Sequence, residues 1–217
     1  MIEYPTHGDL SEIYTEQNCN EKMALESSKS LRRKLIKSGK IHEFHNKVMD
    51  SVTKGHVAVM NAKMKKDYEK LPRSYQLINY VVKESSASKK LRVVTNSSVP
   101  RRGGSFNEQT LKGSCLIASA LEVLFGFSAH CYALMTDLSE AFRSTRTGPV
   151  TNSCRRFFWW TDVDNEESLA EFVLQVSTYG DRPAGNILAQ ALHTIANDDR
   201  VSELVRNFIL RCFFVDE

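Results

Sequence analysis

The chain has 217 residues, 41% hydrophobic and 25% charged, which is enough apolar material for a real core and excludes wholesale disorder. Its net charge of +3 hides an asymmetry: residues 1–28 carry 1 basic and 6 acidic side chains, residues 29–112 carry 20 and 6, and residues 113–217 carry 8 and 14. No run approaches the roughly 18 apolar residues of a membrane span, since Cys115 to Phe127 is broken by Glu122, and the acidic start MIEYPTHGDLSEIYTEQ lacks a signal pattern.

The first twenty residues show no sustained period and are expected to wander. From Glu21 the pattern turns helical, with Ala24, Ser28, Leu31 and Leu35 on one face and Gly39 as a stop. A second helix carries Ile41, Phe44, Val48 and Val52 on one stripe and ends at Gly55. Leu71-Pro72 punctuates the chain. Residues 75–83 and 91–96 are β-branched and aromatic, and read as a hairpin around the lysine-rich turn ESSASKK. RRGGS at 101–105 is a loop. A helix is expected over about 111–126, with Leu116, Ala120, Val123 and Phe127 on one face, followed by a buried strand CYALMT at 131–136 that runs into Asp137. Residues 139–143 start a short helix. RRFFWW (155–160) and EFVLQVST (171–178) read as strands joined by an acidic turn. Residues 184–196 form a helix with Ala184, Leu188, Ala191 and Ile195 on one face; another covers about 201–208, and ILRCFFVDE is strand-like.

Five cysteines (Cys19, Cys115, Cys131, Cys154 and Cys212) without a C-x-x-C spacing read as reduced, mostly buried thiols of an intracellular protein. The basic middle beside an acidic half suits a polyanion partner, or a solvated lysine-rich surface. His42 and His45 flank Glu43 but are one residue short of H-E-x-x-H, so they read as solvated helix histidines. Cys115 reads as a packed helix cysteine, and Trp159 and Trp160 as core rather than base-stacking residues. The arginines of RSTR (143–146), of 155–156 and of 101–102 read as loop or surface residues, with template-backbone contact an option for 101–102.

Two strand ends carry carboxylates: Asp137 after CYALMT, and Asp216-Glu217 after ILRCFFV. Each could merely cap its strand. Side by side they would repel unless cations intervened, and oxygen-only ligands suit Mg²⁺ and two-metal phosphoryl transfer.

Several blocks then occur in a telling order: TKGH at 53–56, LPRSYQLINYVVKESSASKKLRVVTNSS at 71–98, SFNEQTLKG at 105–113, ALMTDLSEAFRSTRTG at 133–148, RRFFWW at 155–160, TYGDRPAGN at 178–186 and FFVDE at 213–217. From about Thr53 to the end the chain resembles the reverse transcriptase of Pao-type (BEL/Pao) long-terminal-repeat retrotransposons, and residues 1–52 resemble its helical lead-in more loosely. The resemblance implies an α+β fold: right-hand polymerase fingers (about 56–112 and 146–178) with an incomplete ferredoxin-like palm (about 113–145 and 179–217), preceded by a helical N-terminal segment over 1–55. It implies an RNA-directed DNA polymerase, a nucleotidyltransferase working with two Mg²⁺ (or Mn²⁺) ions. Its partners would be an RNA or DNA template-primer, deoxynucleoside triphosphates and the rest of a retrotransposon polyprotein, with no membrane.

Roles carry over residue by residue. Asp137 and Asp216 would be the shared metal ligands, with the Leu138 carbonyl an additional one and Glu217 in the final catalytic acidic position. Phe142 would block a 2′-hydroxyl. Lys90 and Arg92 would grip the triphosphate, and Tyr179, Gly180 and Arg182 would line the nucleotide and template. Two residues depart from F-Y-V-D-D: Phe214 replaces the tyrosine, and Glu217 is one methylene longer than aspartate. The return strand, the thumb and any ribonuclease H or integrase domain are absent from the chain, so the expectation is a fragment or decayed copy of an element's polyprotein, inactive or nearly so as an isolated chain. The competing expectation is a non-catalytic retroelement relic that binds nucleic acid through its basic 29–112 segment.

Overall fold

The computed structural model describes the chain apart from residues 86–87, 115, 117, 130, 133–134 and 214–217, and apart from the side chains of 83–85 and 88–89. In chain order the elements are α1 (Leu10–Ile13), α2 (Glu21–Lys37), α3 (Ile41–Thr53), β1 (Val57–Val59), α4 (Ala62–Asp67), β2 (Leu77–Ser85), β3 (Ser88–Asn96), α5 (Phe106–Gln109), α6 (Ala120–Ser128), α7 (Pro149–Ser153), β4 (Arg156–Trp160), β5 (Leu169–Leu174), α8 (Ala184–Ala196) and α9 (Glu203–Cys212). Short 3-10 turns occupy Glu16–Asn18, Ala141–Ser144 and Glu166–Ser168. The fold is α+β, with helices around two small antiparallel sheets, one ordered β1-β5-β4 and the other the β2-β3 hairpin.

The main core follows from the helical stripes. Helix α2 buries Ala24, Ser28, Leu31 and Leu35, and α3 buries Phe44, Val48 and Ser51. Both stripes recur every three or four residues, so one face of each helix meets the sheets. Gly39 and Gly55 end the helices at φ +67° and +69°, a backbone region that other residues enter at a cost. Asn20, just before α2, clamps the helix start to the loop ahead of the hairpin: its Nδ2 donates to the Tyr75 carbonyl at 2.6 Å, and the Tyr75 amide donates back at 2.9 Å. Against these helices pack Ile78 and Leu91 of the hairpin, Phe157, Trp159 and Trp160 of β4, and Phe172 and Leu174 of β5. Trp159 is fully buried 4.6 Å from the Phe44 ring, as core packing requires. The hairpin pairs from Leu77↔Asn96 out to Ser85↔Ser88, so its strands run through the stretch expected as a broad turn.

Several expectations are corrected. The N-terminus does not wander: Tyr4, Leu10 and Tyr14 are buried with Phe106, Cys154 and Ile187, and Ile2 bridges to Thr147. The helix expected from 111 starts only at Ala120, where Ser119 and Glu122 form a capping box that satisfies the first-turn amides. Residues 131, 132, 135 and 136 form no strand, and Tyr132 and Met135 are 92% and 88% exposed. Residues 209–212 belong to α9 and are not a strand; a short apolar run fits either state until a neighbour decides. The strands expected to build the palm sheet are therefore not formed among the described residues, and Phe214 to Glu217 lie outside them. Helix α8 has the expected bounds but buries Ile187 and Ala189 beside Ala184 and Leu188, while Ile195 is exposed. All four described cysteines are free, yet only Cys154 is buried, and Cys131 and Cys212 are exposed. Burial pushes the Cys154 thiol up to about 12. Cys115 lies outside the described residues.

Candidate functional site

An open cleft of about 2300 Å³ runs between the hairpin, α3, the loop at 135–143 and the helices α6 and α9. This exceeds the ~300–1,000 Å³ typical of a small-molecule site, so the cleft has room for an extended ligand. Strand β3 brings Lys90 and Arg92 to its lining; the loop after α6 brings Asp137 and Leu138. The 3-10 turn at Ala141–Ser144 brings Phe142, and the loop before α8 brings Tyr179. Alternation along β3 explains the cations: Leu91 turns into the core at 3% exposure, so Lys90 and Arg92 project to the other face. The Phe142 and Tyr179 rings meet edge to face with centroids 4.5 Å apart. Phe142 is anchored from below by Ala184 and Leu188 of α8, and Phe213 packs on the same cluster and lines the same cleft.

The cleft is also charged on its α3 side. Lys47 and Lys54 of α3 and Arg143 line it together with Asp50 and Glu140. Lys54 Nζ lies 3.1 Å from Asp50 and 3.3 Å from Glu140, and these hydrogen bonds raise its pKa. Arg143 reaches Ser51 Oγ at 3.4 Å and Glu140 at 3.7 Å. Glu140 itself has φ +53°, a strained value for a side-chain-bearing residue, at the turn between Asp137 and Phe142. The exposed cations and apolar rings around this cleft suit an anionic ligand that carries flat, stackable groups.

Behind the Tyr179 wall lies a buried polar junction. Arg155 and Asp181 have fully buried side chains 2.6 Å apart. Asp181 also accepts from Thr178 Oγ1 at 3.0 Å and from the hydroxyl of Ser97, which in turn accepts from Gln76 Nε2 at 2.6 Å. Arg155 donates to the Val176 carbonyl at 2.9 Å and to Thr147 Oγ1 at 2.5 Å. Tyr4 Oη stands 2.9 Å from Ser177 Oγ and 3.0 Å from Asp181 Oδ2. Burial first, and the Asp181 charge in addition, raise the Tyr4 phenol pKa, while Arg155 opposes the shift. Arg156 is buried as well, 3.1 Å from Glu171. The expectation of surface arginines at 155 and 156 is thus overturned: each buried guanidinium meets a carboxylate and one backbone carbonyl, although Arg155 Nε has no partner.

Six of the sequence-singled residues therefore share one lining: Lys90, Arg92, Asp137, Leu138, Phe142 and Tyr179. Gly180 adjoins them at φ +92°, where a Cβ would come 3.4 Å from the Thr95 carbonyl. Arg182 is not brought to the lining; its guanidinium donates to the Asn107 carbonyl at 3.4 Å, and its amide to Asn107 Oδ1 at 2.9 Å. Asp216 and Glu217 lie outside the described residues, among which no group of three or more His, Cys, Asp or Glu is arranged to hold a metal ion. His42 is exposed 3.8 Å from Asp164, while the His45 Nδ1 accepts from Trp159 Nε1 at 3.4 Å. Among the described residues no helix is long and apolar enough to cross a membrane. Sequence reasoning missed Asp181, Tyr4 and the α3 lysines. An aspartate following a glycine in the turn-forming loop TYGDRPAG was the available signal for the first. No protein-family model matches the chain, and no curated protein matches it.

Proposed function

We propose that the chain is the nucleotide-binding part of an RNA-directed DNA polymerase of the Pao retrotransposon type. The observation that carries the reading is the convergence of Lys90, Arg92, Asp137, Phe142 and Tyr179 on one cleft, from segments far apart in the chain. Phe213, three positions before Asp216, lines that cleft too. In this reading Lys90 and Arg92 hold the triphosphate, the planar guanidinium matching two phosphate oxygens at once. In the same reading the Phe142 ring, held by Tyr179 and α8, is the group that would block a ribose 2′-hydroxyl. Tyr179 and Gly180 offer a flat ring and a bare backbone to the paired base.

The donor chemistry fits Mg²⁺: Asp137 presents an exposed carboxylate beside the cleft cations, and Asp137 with the Leu138 carbonyl would hold the ion, joined by Asp216. When bound, Mg²⁺ supplies charge neutralisation of the phosphates and activation of a hydroxyl.

The test is binding of a labelled deoxynucleoside triphosphate in the presence of Mg²⁺. Arg92→Ala should weaken it about tenfold or more, the loss of a charge-assisted contact. Asp137→Asn should remove its Mg²⁺ dependence, and Phe142→Ala should erase the preference over the ribonucleotide. Binding of nucleic acid alone that is steep in salt, indifferent to Mg²⁺ and unchanged by Asp137→Asn would overturn the polymerase reading in favour of a backbone-binding relic.

A further inference from the structure

The Tyr179–Gly180 turn is held by Thr178 Oγ1 on Asp181 at 3.0 Å, by the Phe142 ring on Tyr179 and by contacts from distant parts of the chain. Within the turn the Asp181 amide reaches the Thr178 carbonyl at 3.3 Å, and Gly180 sits at φ +92°. Other fastenings come from distant segments. Asn107 Nδ2 donates to the Gly180 carbonyl at 2.7 Å. Ser177 and Asp181, which bracket the turn, both bond to the phenol of Tyr4, more than 170 positions earlier in the chain.

Tyr4 is itself firmly seated. Its amide donates to Thr151 Oγ1 at 2.9 Å, and its ring lies 6.1 Å from Phe106 and 5.0 Å from the Arg155 guanidinium. The preceding Glu3 accepts from the Val150 and Thr151 amides at 3.0 and 2.8 Å at the start of α7. Ile2 is tied by hydrogen bonds to Arg146 and Gly148. The segment is a strap with one fixed end on α7 and a hydroxyl aimed at the base of the cleft wall.

We infer that Tyr4 is a positioning residue of the cleft: its hydroxyl, through Ser177 and Asp181, sets where Tyr179 and Gly180 stand. The N-terminal strap is then a working part of the site. Loss of one phenolic oxygen should release the turn without unfolding the protein, because the ring contacts with Phe106 and Arg155 survive in phenylalanine. If the polymerase reading also holds, nucleotide affinity will follow the turn. The inference needs no ligand, so the two readings can fail separately.

Hydrogen–deuterium exchange on the whole chain tests it. In Tyr4→Phe, amides over 177–183 should exchange about tenfold or more faster, while those of α2, α3 and β4 keep their wild-type rates. Ser177→Ala, at the other end of the same contact, should give the same selective rise. Glu3→Gln should loosen α7 and leave 177–183 unchanged. Unaltered exchange over 177–183 in Tyr4→Phe and Ser177→Ala would overturn the inference. So would a uniform rise across the chain, which is the signature of a merely structural role.

Discussion

The two walls that meet at the cleft are built on opposite principles. Behind Tyr179, charged and hydroxyl groups are buried and bonded to one another: Arg155, Asp181, Tyr4, Ser97 and Thr147 each bond to at least one other member, and Arg155 Nε alone of that guanidinium has no partner. By contrast, α6 and α9 bury no side chain; Leu124, which lines the cleft, is 59% exposed, and Leu121, Phe125 and Leu204 on the same helices are 63–82% exposed. The first wall is specified, since its donors and acceptors are linked in one buried network. The second is attractive to almost any apolar surface and specifies little. The contrast teaches that burial alone does not define a site wall; partnered polarity does.

The comparison can be broken most severely at the ion pair. Arg155→Ala leaves the Asp181 charge buried and unmatched, and should lower the unfolding free energy by about 3–5 kcal/mol in urea titration. The double change Arg155→Met with Asp181→Leu should recover much of that loss, because no charge is then stranded. Next comes the strap. Glu3→Ala removes the acceptor of two first-turn amides of α7 and should cost about 0.5–2 kcal/mol in the same titration. On the other wall, Phe125→Ser should change stability by no more than about 0.5 kcal/mol and raise solubility, measured as the concentration at which scattering begins.

The smallest effect is a pH dependence in the main core. Burial holds the His45 imidazole below its usual 6.5, with Asp162 opposing, and the neutral ring accepts from Trp159. Because the folded value lies below the unfolded one, this contribution is complete above the unfolded value and is lost as pH falls through the folded one. The urea midpoint of the wild type should therefore drop more between about pH 7.5 and about pH 5 than that of His45→Gln. Equal slopes would remove His45 from the account.

How far the sequence could be read divides along the same line. Helices α2, α3 and α8 and strands β4 and β5 were legible because each carries a full run of periodic apolar residues. The short pieces were not: α1, α4 and α7 have four to six residues, too few for a period, and depend on caps and distant partners. In the same way β1 is only three residues long and exists by pairing with β5. Residues 209–212 have the composition of a strand, yet they continue the helix capped by Ser202, which packs beside α8 and α6. The cleft residues came from motif resemblance. The junction that steadies them did not, because nothing local in Arg155 or Asp181 shows that the two meet.

One feature of the sheet reaches back to the way the protein is made. Val57 pairs with Leu174, and Tyr4 with Ser177, so the earliest segments emerge from the ribosome long before their partners exist. At ~5–20 residues per second that interval is on the order of ten seconds. Until then β1 and the hairpin can cover part of the α2 and α3 stripes, but β4 and β5, with Phe157, Trp159, Phe172 and Leu174, are still missing. Nascent chains of this protein thus have a timed vulnerability, and synonymous changes that slow translation ahead of Leu174 would lengthen it.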